Sequence, residues 1–349
     1  MLAPQSEANE RDEMFELLCA SREMYPAFAE ALLEESGVDI ELERTGTLYL
    51  AFTREDEDEV ERRFAWQSRA GLEVERLTAE DARSLEPQIS TRVLSALRFP
   101  RDWQVENRRL VRALATSTAR SGARVLNETH VGGVRVAGGR AEGVETSQGF
   151  VAAGAVVLAA GARTSHVPLI TPEGEGSAQY ESVAEHPRVE PVRGQMMCFE
   201  QPPSFRPFVC HVVYSPRGYL VPRRDGRLLA GSTTEHAGFD CFVTAGGVHQ
   251  ITSNAIEIAP QVAALILADS WAGLRPRAED GLPVFGESPE VKRLFYATGH
   301  YRNGILLAPA TGEIVADLVV EGSSRILPHA LSAFSAARFR RALVGASGD

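Results

Sequence analysis

Residues 153–162, AGAVVLAAGA, restrict the fold more than any other stretch of this 349-residue chain. Val156, Val157 and Leu158 follow one another with no polar residue between them, and Gly161 closes the run. A strand with one face in water alternates apolar and polar side chains. An unbroken apolar run instead fits a strand covered on both faces, hence a parallel sheet flanked by helices. A second strand-like run, residues 292–298, also stops at a glycine, Gly299. Ligands of open α/β sheets bind beyond the carboxyl ends of such strands, so the fold class expected is α/β, with a binding edge near Gly161 and Gly299.

The remaining pattern predicts a second sheet of another kind. Phe15, Leu18, Tyr25, Phe28 and Leu32 recur at helical spacing, which predicts a helix over 12–36 that stops at Gly37. Residues 44–53 alternate as a strand, and 54–71 read as a charged amphipathic helix. Residues 77–87 carry a Thr78-x-x-Asp81 capping pattern. A helix over 107–122 leads into short strands at 123–127, 130–136 and 141–147. Residues 171–188 are polar and rich in Gly, Pro and Ser, as in a loop. Beyond them, closely spaced strands at 189–200, 207–216 and 218–233 are divided by Pro216-Arg217-Gly218 and Asp225-Gly226, as in a mostly antiparallel sheet. A helix over 245–265 and a strand through Trp271 follow.

Two sheets of different character, alternating along the chain, imply two interleaved domains. The partition expected is 1–37, 105–170 and 287–349 for one domain, 38–104 and 189–286 for the other, with 171–188 as a loop. A net charge of −11 argues against a nucleic acid or an anionic membrane surface as partner. No apolar run approaches the ~18 residues of a membrane span, and the first residues lack a secretory pattern. Cys19, Cys198, Cys210 and Cys241 stand far apart without a metal-type spacing. They are read as reduced thiols, mostly buried, in a cytoplasmic protein. His211 and His249 are read as isolated, with no metal site.

Four blocks carry a resemblance: PVRGQM (191–196), YLVPRRDGRLLAGSTTEHAGFD (219–240), WAGLRPRAEDGLPVFG (271–286) and ATGHYRNGILLAPATG (297–312). In this order and spacing, together with residues 44–52 and 156–165, they resemble signature blocks of the flavin-dependent D-amino acid oxidase (DAO) family. Within it they are most similar to the glycine oxidase branch, which serves thiamine biosynthesis. The resemblance implies a Rossmann-like FAD domain interleaved with an antiparallel-sheet substrate domain. It implies FAD held non-covalently, a small amino acid as substrate, oxygen as electron acceptor and a possible homo-oligomer. The family's opening strand, Gly-x-Gly-x-x-Gly turn and helix have no counterpart in these residues. The expectation is a chain lacking the first βαβ elements of its FAD domain, roughly 30–45 residues, and binding FAD poorly.

Residue roles follow from the same resemblance. Arg302, in GHYRNG, and Arg275, in GLRP, are expected to clamp the substrate carboxylate, because guanidinium offers the planar, permanently charged fork that lysine lacks. Tyr219 is expected to add its hydroxyl. Met1, Leu2 and Ala3 resemble a segment beside the flavin. Val131 stands where the family makes a backbone contact to the adenine end. Gly161 and the backbone of His300, Tyr301, Arg302, Asn303, Gly304, Ile305 and Leu306 are expected to line the ring system. No side-chain acid or base is assigned, since hydride passes to the flavin and the amine need only be neutral. Arg277, Arg223 and Arg224 are read as surface ion pairs, and Asp280 as a turn residue. With no cysteine beyond Cys241, a covalent flavin link in the region 270–300 is excluded. Two alternatives stay open: an oxidase or dehydrogenase for D-amino acids or N-methyl amines, and a non-catalytic remnant that holds no FAD.

Overall fold

A computed structural model of the chain describes residues 1–171, 186–201 and 208–340. All of the expected loop over 171–188 except its two ends lies outside the described residues. The elements run α1 (Pro4–Glu7), α2 (Glu13–Ser36), β1 (Thr47–Ala51), α3 (Arg54–Arg69), β2 (Glu75–Thr78), α4 (Ala79–Leu85), β3 (Ser95–Phe99) and α5 (Asn107–Arg120). Next come β4 (Val131–Ala137), β5 (Arg140–Thr146), β6 (Gly149–Ala152), β7 (Val156–Leu158) and β8 (Leu169–Ile170). Then follow β9 (Val189–Glu200), β10 (Val212–Ser215), β11 (Gly218–Pro222), β12 (Arg227–Gly231) and α6 (Ala245–Ile258). The last are β13 (Ile266–Ala278), β14 (Val284–Glu287), β15 (Leu294–Thr298) and α7 (Ala308–Val320). No described helix is long and apolar enough to cross a membrane.

The chain divides into two compact units. The first comprises Met1–Arg124 and Val192–Leu274, the second Val125–Pro191 and Arg275–Asp349. The first unit is built on an eight-stranded sheet ordered β13-β9-β12-β11-β10-β1-β3-β2. From β9 to β10 and from β1 to β2 the neighbours are antiparallel, and β1 runs parallel to β10. Alternation sorts its side chains. Met197 and Phe199 of β9 join a core with Leu48, Leu220 and Ala230, packed by Ile251, Ala255 and Ile258 of α6. Met196 and Cys198 face the opposite side with Val212, Val221 and Leu229. That is the period of two that a pleated strand imposes.

The helices end as their sequences dictate. Gly37 adopts φ 73 and donates its N–H to Leu33 O, closing α2. Thr78 and Asp81 form a reciprocal capping box at α4, and Thr53 and Asp56 form another at α3. The helix expected over 245–265 stops at Ile258, because Pro260 opens a separate 3-10 turn.

In the second unit β14, β15 and β7 form a three-stranded sheet, with β7 parallel to β15 as the apolar run predicts. A four-stranded sheet, β6-β5-β4-β8, lies in the same unit. Val134, Val156, Leu158, Leu294 and Tyr296 share its core. Two expectations are corrected here. Residues 123–127 form no strand, and Val125 and Leu126 are exposed. Val157 is 41% exposed, so β7 is covered on one face and open on the other; it sits at the end of its sheet.

The units also divide the chain elsewhere than expected. Residues 1–37 and 105–124 belong with the eight-stranded sheet, and 275–286 with the other unit. Leu2 exchanges both backbone hydrogen bonds with Trp103 (2.7 and 2.9 Å). The buried Asp102 accepts the N–H groups of Gln5 and Ser6 at 3.1 and 2.7 Å. These bonds fasten the first residues to the loop after β3.

Candidate active site

In the second unit the two arginine-bearing segments come together. Gly299 ends β15 at φ 74, where a Cβ would lie 3.1 Å from Ala278 Cβ and 3.3 Å from Leu282 O. Only glycine lets the chain pass there without displacing the end of β13. His300 then pairs with Arg277 in antiparallel sense, and Tyr301 donates its N–H to Pro276 O at 2.7 Å. Tyr301 holds φ 48, a left-handed conformation uncommon for a bulky residue. It turns the chain away from β13 directly before Arg302. Arg302 thus leaves the paired edge beside Pro276, and Arg275 precedes that proline. Arg275 is half-buried and Arg302 exposed.

The same edge offers backbone to a ligand. Gly161 takes φ 55 at the start of a 3-10 turn after β7, and a Cβ there would meet nothing within 4 Å. The Thr164 and Thr298 hydroxyls, 3.0 Å apart, sit 2.8 and 3.1 Å from Gly161 O and fix its peptide. Asn303 N–H donates to His300 O, and Leu307 N–H to Asn303 O, winding the turn into α7. Leu307 caps α7 without a side-chain hydrogen bond, so the positive end of the helix meets its surroundings through backbone alone. His300 turns its ring inward: it lies tilted against Phe285 with centroids 5.3 Å apart, and its Nε2 lies 3.0 Å from Thr311 Oγ1. Burial lowers its pKa to about 4. The imidazole is therefore neutral at physiological pH, and its side chain anchors the turn to α7. Val131 opens β4 opposite Thr146 and is 38% exposed.

In the first unit the register sets a single row across the sheet: Met196, Gly231, Tyr219, Tyr214 and Tyr49. The three tyrosine rings stack, with centroids 5.5 Å apart for Tyr49–Tyr214 and 6.2 Å for Tyr214–Tyr219. Gly231 leaves a gap in the row, which Tyr219 and Met196 close from either side; Tyr219 Oη donates to Met196 Sδ at 3.2 Å. Met1 and Trp271 pack against the same apolar cluster as Tyr219 and Met196. Leu2 and Ala3 are buried. Met196 and Gly231 stand inside motifs read from the sequence, but no local pattern marks them, because their neighbourhood arises only from strand register.

Several single-residue readings change. Cys210 and Cys241 are exposed, so only Cys198 is a buried thiol and Cys19 a half-buried one. Arg277 pairs with Glu190 at 2.8 Å, and Arg224 with Asp39 at 2.8 Å and with Glu43, as surface pairs. Arg223 instead donates to Val105 O at 2.7 Å and to Gln104 Oε1 at 3.3 Å, a backbone tether rather than an ion pair. His211 is not isolated: its Nδ1 lies 2.6 Å from the buried Glu86 carboxylate. Asp280 accepts Leu282 N–H across a turn and Arg338 Nε at 2.6 Å. Among the described residues no cluster of His, Cys, Asp and Glu could hold a metal.

Comparison with known proteins decides the family. Residues 1–318 match the FAD dependent oxidoreductase (DAO) family. The chain belongs to that family. A glycine oxidase from Geobacillus kaustophilus is 37% identical over 321 residues, covering 91% of this chain and 81% of the relative. The bifunctional protein ThiO/ThiG of Synechocystis is 32% identical over 335 residues, 95% of this chain and 46% of that protein. The crystal structure of the G. kaustophilus glycine oxidase superposes with a TM-score of 0.87 at 35% identity, covering 97% of this chain and 87% of that one.

As a DAO-family member the chain is a flavin-dependent oxidoreductase whose cofactor is FAD. Its residues fit the ring end of that cofactor. Gly161 presents backbone with open space beside it, and Gly304 lies in the turn that leads into the N-terminus of α7. A reduced flavin carries negative charge, which a helix N-terminus stabilises. No Gly-x-Gly-x-x-Gly occurs in the 349 residues, so no residue is assigned here to the pyrophosphate.

Proposed function

We propose that this protein oxidises glycine or another small α-amino acid to its imine, in support of thiamine biosynthesis. The imine hydrolyses to the oxo acid and ammonia, and oxygen takes up two electrons and two protons to become hydrogen peroxide. The observation that carries the reading is the pairing of the Arg275 and Arg302 segments through Tyr301 N–H and Pro276 O at 2.7 Å. Two permanent cations on adjacent segments make a seat for an anion, and their forks match a carboxylate. The glycine oxidase and ThiO/ThiG relatives support the choice of substrate and of pathway.

Bound FAD supplies the two-electron acceptor for the reaction. Everything else falls to the chain. Arg302 and Arg275 hold the carboxylate and so fix the α-carbon, turning an encounter into an oriented complex. Tyr219, in the eight-stranded unit, offers its hydroxyl to a substrate carboxylate. Val131, Gly161 and the backbone of 300–306 are the cofactor contacts of the second unit, and Met1, Leu2 and Ala3 those of the first. Neutral His300 removes no proton from substrate: its ring is committed to Thr311 and Phe285. The substrate amine must therefore arrive neutral or lose its proton to solvent.

The test is a peroxide assay on FAD-loaded protein with glycine, sarcosine, D-alanine and D-proline. Glycine is expected to give the highest kcat/KM. Neither peroxide nor dye reduction with any of the four would overturn the reading. Dye reduction without peroxide would mean a dehydrogenase, and a preference for sarcosine or a D-amino acid would move the chain to a sibling activity.

A further inference from the structure

We infer that Met196 sets the size limit on the substrate's α-substituent, with Gly231 as the position that makes this possible. The inference rests on the reading of Tyr219 as a carboxylate ligand. Met196 and Tyr219 lie on strands β9 and β11, with β12 between them, so their backbones are about 9–10 Å apart. Their side chains nevertheless touch, Oη to Sδ at 3.2 Å. They meet because the residue between them is Gly231, registered with both. A Cβ on Gly231 would clash with the Met196 sulfur and lie 3.0 Å from Tyr219 Oη. The sulfur is therefore seated in a notch and has no room to sink further toward the sheet.

Tyrosine has one hydroxyl proton, and in this structure it points at a thioether, a weak acceptor. A carboxylate accepts far more strongly, so an arriving amino acid takes the hydrogen bond and Met196 is left as the apolar wall beside it. The α-carbon is bonded directly to that carboxylate. A hydrogen on the α-carbon fits beside the thioether, whereas a methyl or larger group competes with it for the same space. Stacking of Tyr219 on Tyr214, and of Tyr214 on Tyr49, keeps the tyrosine from swinging aside. Met196 thus acts through exclusion, with no chemical step of its own.

The experiment compares wild type with Met196→Ala and Met196→Leu in the FAD-loaded protein. In Met196→Ala the ratio of kcat/KM for D-alanine to that for glycine should rise about tenfold or more, the range that one methylene commands in an apolar pocket. Met196→Leu keeps the bulk without the sulfur and should keep the wild-type ratio. A ratio unchanged in Met196→Ala, with glycine still oxidised, overturns the inference and leaves the proposed function standing. Calorimetric binding of acetate and 2-methylpropanoate gives a readout free of turnover. Wild type should favour acetate, and Met196→Ala should narrow that preference by a similar factor. Equal narrowing in Met196→Leu would assign the effect to the sulfur and overturn the size argument. Wild type that binds neither carboxylate overturns the role of Tyr219 and the inference with it.

Discussion

At the scale of single residues, charge geometry matters more than charge. Arg302→Lys and Arg275→Lys keep the cation but lose the planar fork, and each should raise KM for glycine on the order of 10- to 100-fold. Steady-state kinetics check this; an unchanged KM in both would remove the carboxylate clamp. Tyr219→Phe loses one hydrogen bond, worth about 1 kcal/mol, and so should weaken substrate binding roughly fivefold. Gly231→Ala is a different kind of change. Its methyl enters the space shared by Met196 and Tyr219, so it should impair glycine turnover more than Tyr219→Phe does, although it removes no functional group. Nothing in the local sequence GSTTEH marks Gly231 for that part. The arginines were legible because a recognisable motif surrounds each one.

At the scale of elements, buried titratable groups tie termini and helix ends to the sheets, and they pull stability in opposite directions with pH. Burial lowers the His300 pKa to about 4, below its usual 6.5. Between these values the unfolded chain binds more protons, so this group's contribution grows as pH rises from 4 to 6.5 and is lost on acidification. Burial raises the Asp102 pKa from 3.8 to about 6. Here the folded chain binds the extra proton, so its contribution falls as pH rises through that window. Urea unfolding between pH 4.5 and 6 should therefore show a smaller rise of stability with pH in His300→Gln and a larger one in Asp102→Asn. Slopes equal to wild type in both variants would contradict the burial of these groups. The capping box at α4 is legible in the sequence as Thr78-x-x-Asp81, the structure adds a second at Thr53 and Asp56, and Thr53→Ala should cost about 1 kcal/mol.

At the scale of the whole molecule, two units carry separate halves of the expected chemistry. The eight-stranded unit holds Met1, Tyr219 and Met196, and the other holds Gly161, Arg275 and Arg302. FAD binding should leave a local trace in the second unit. Hydrogen exchange should slow at 161–166 and 300–307 when FAD is added, and the melting temperature should rise with ligand concentration as linkage requires. A rise in melting temperature with no protection at those residues would place the flavin elsewhere. The sequence-based partition put 1–37 and 105–124 with the cofactor; the chain packs them with the antiparallel sheet, through the Leu2–Trp103 pairing and the Asp102 contacts.

Local pattern was enough to determine most elements, the helix stops and the arginine motifs. Each of these depends on a periodicity or a backbone requirement contained within a dozen residues. Tertiary structure alone decided that Met196, Gly231 and Tyr219 form one row, that Val157 is open to solvent, and that Arg223 tethers backbone instead of pairing with an acid. Alternation assigns a side chain to a face of its sheet. Which residue stands beside it is fixed by register between strands distant in sequence, and that register is set by the packing of the whole unit.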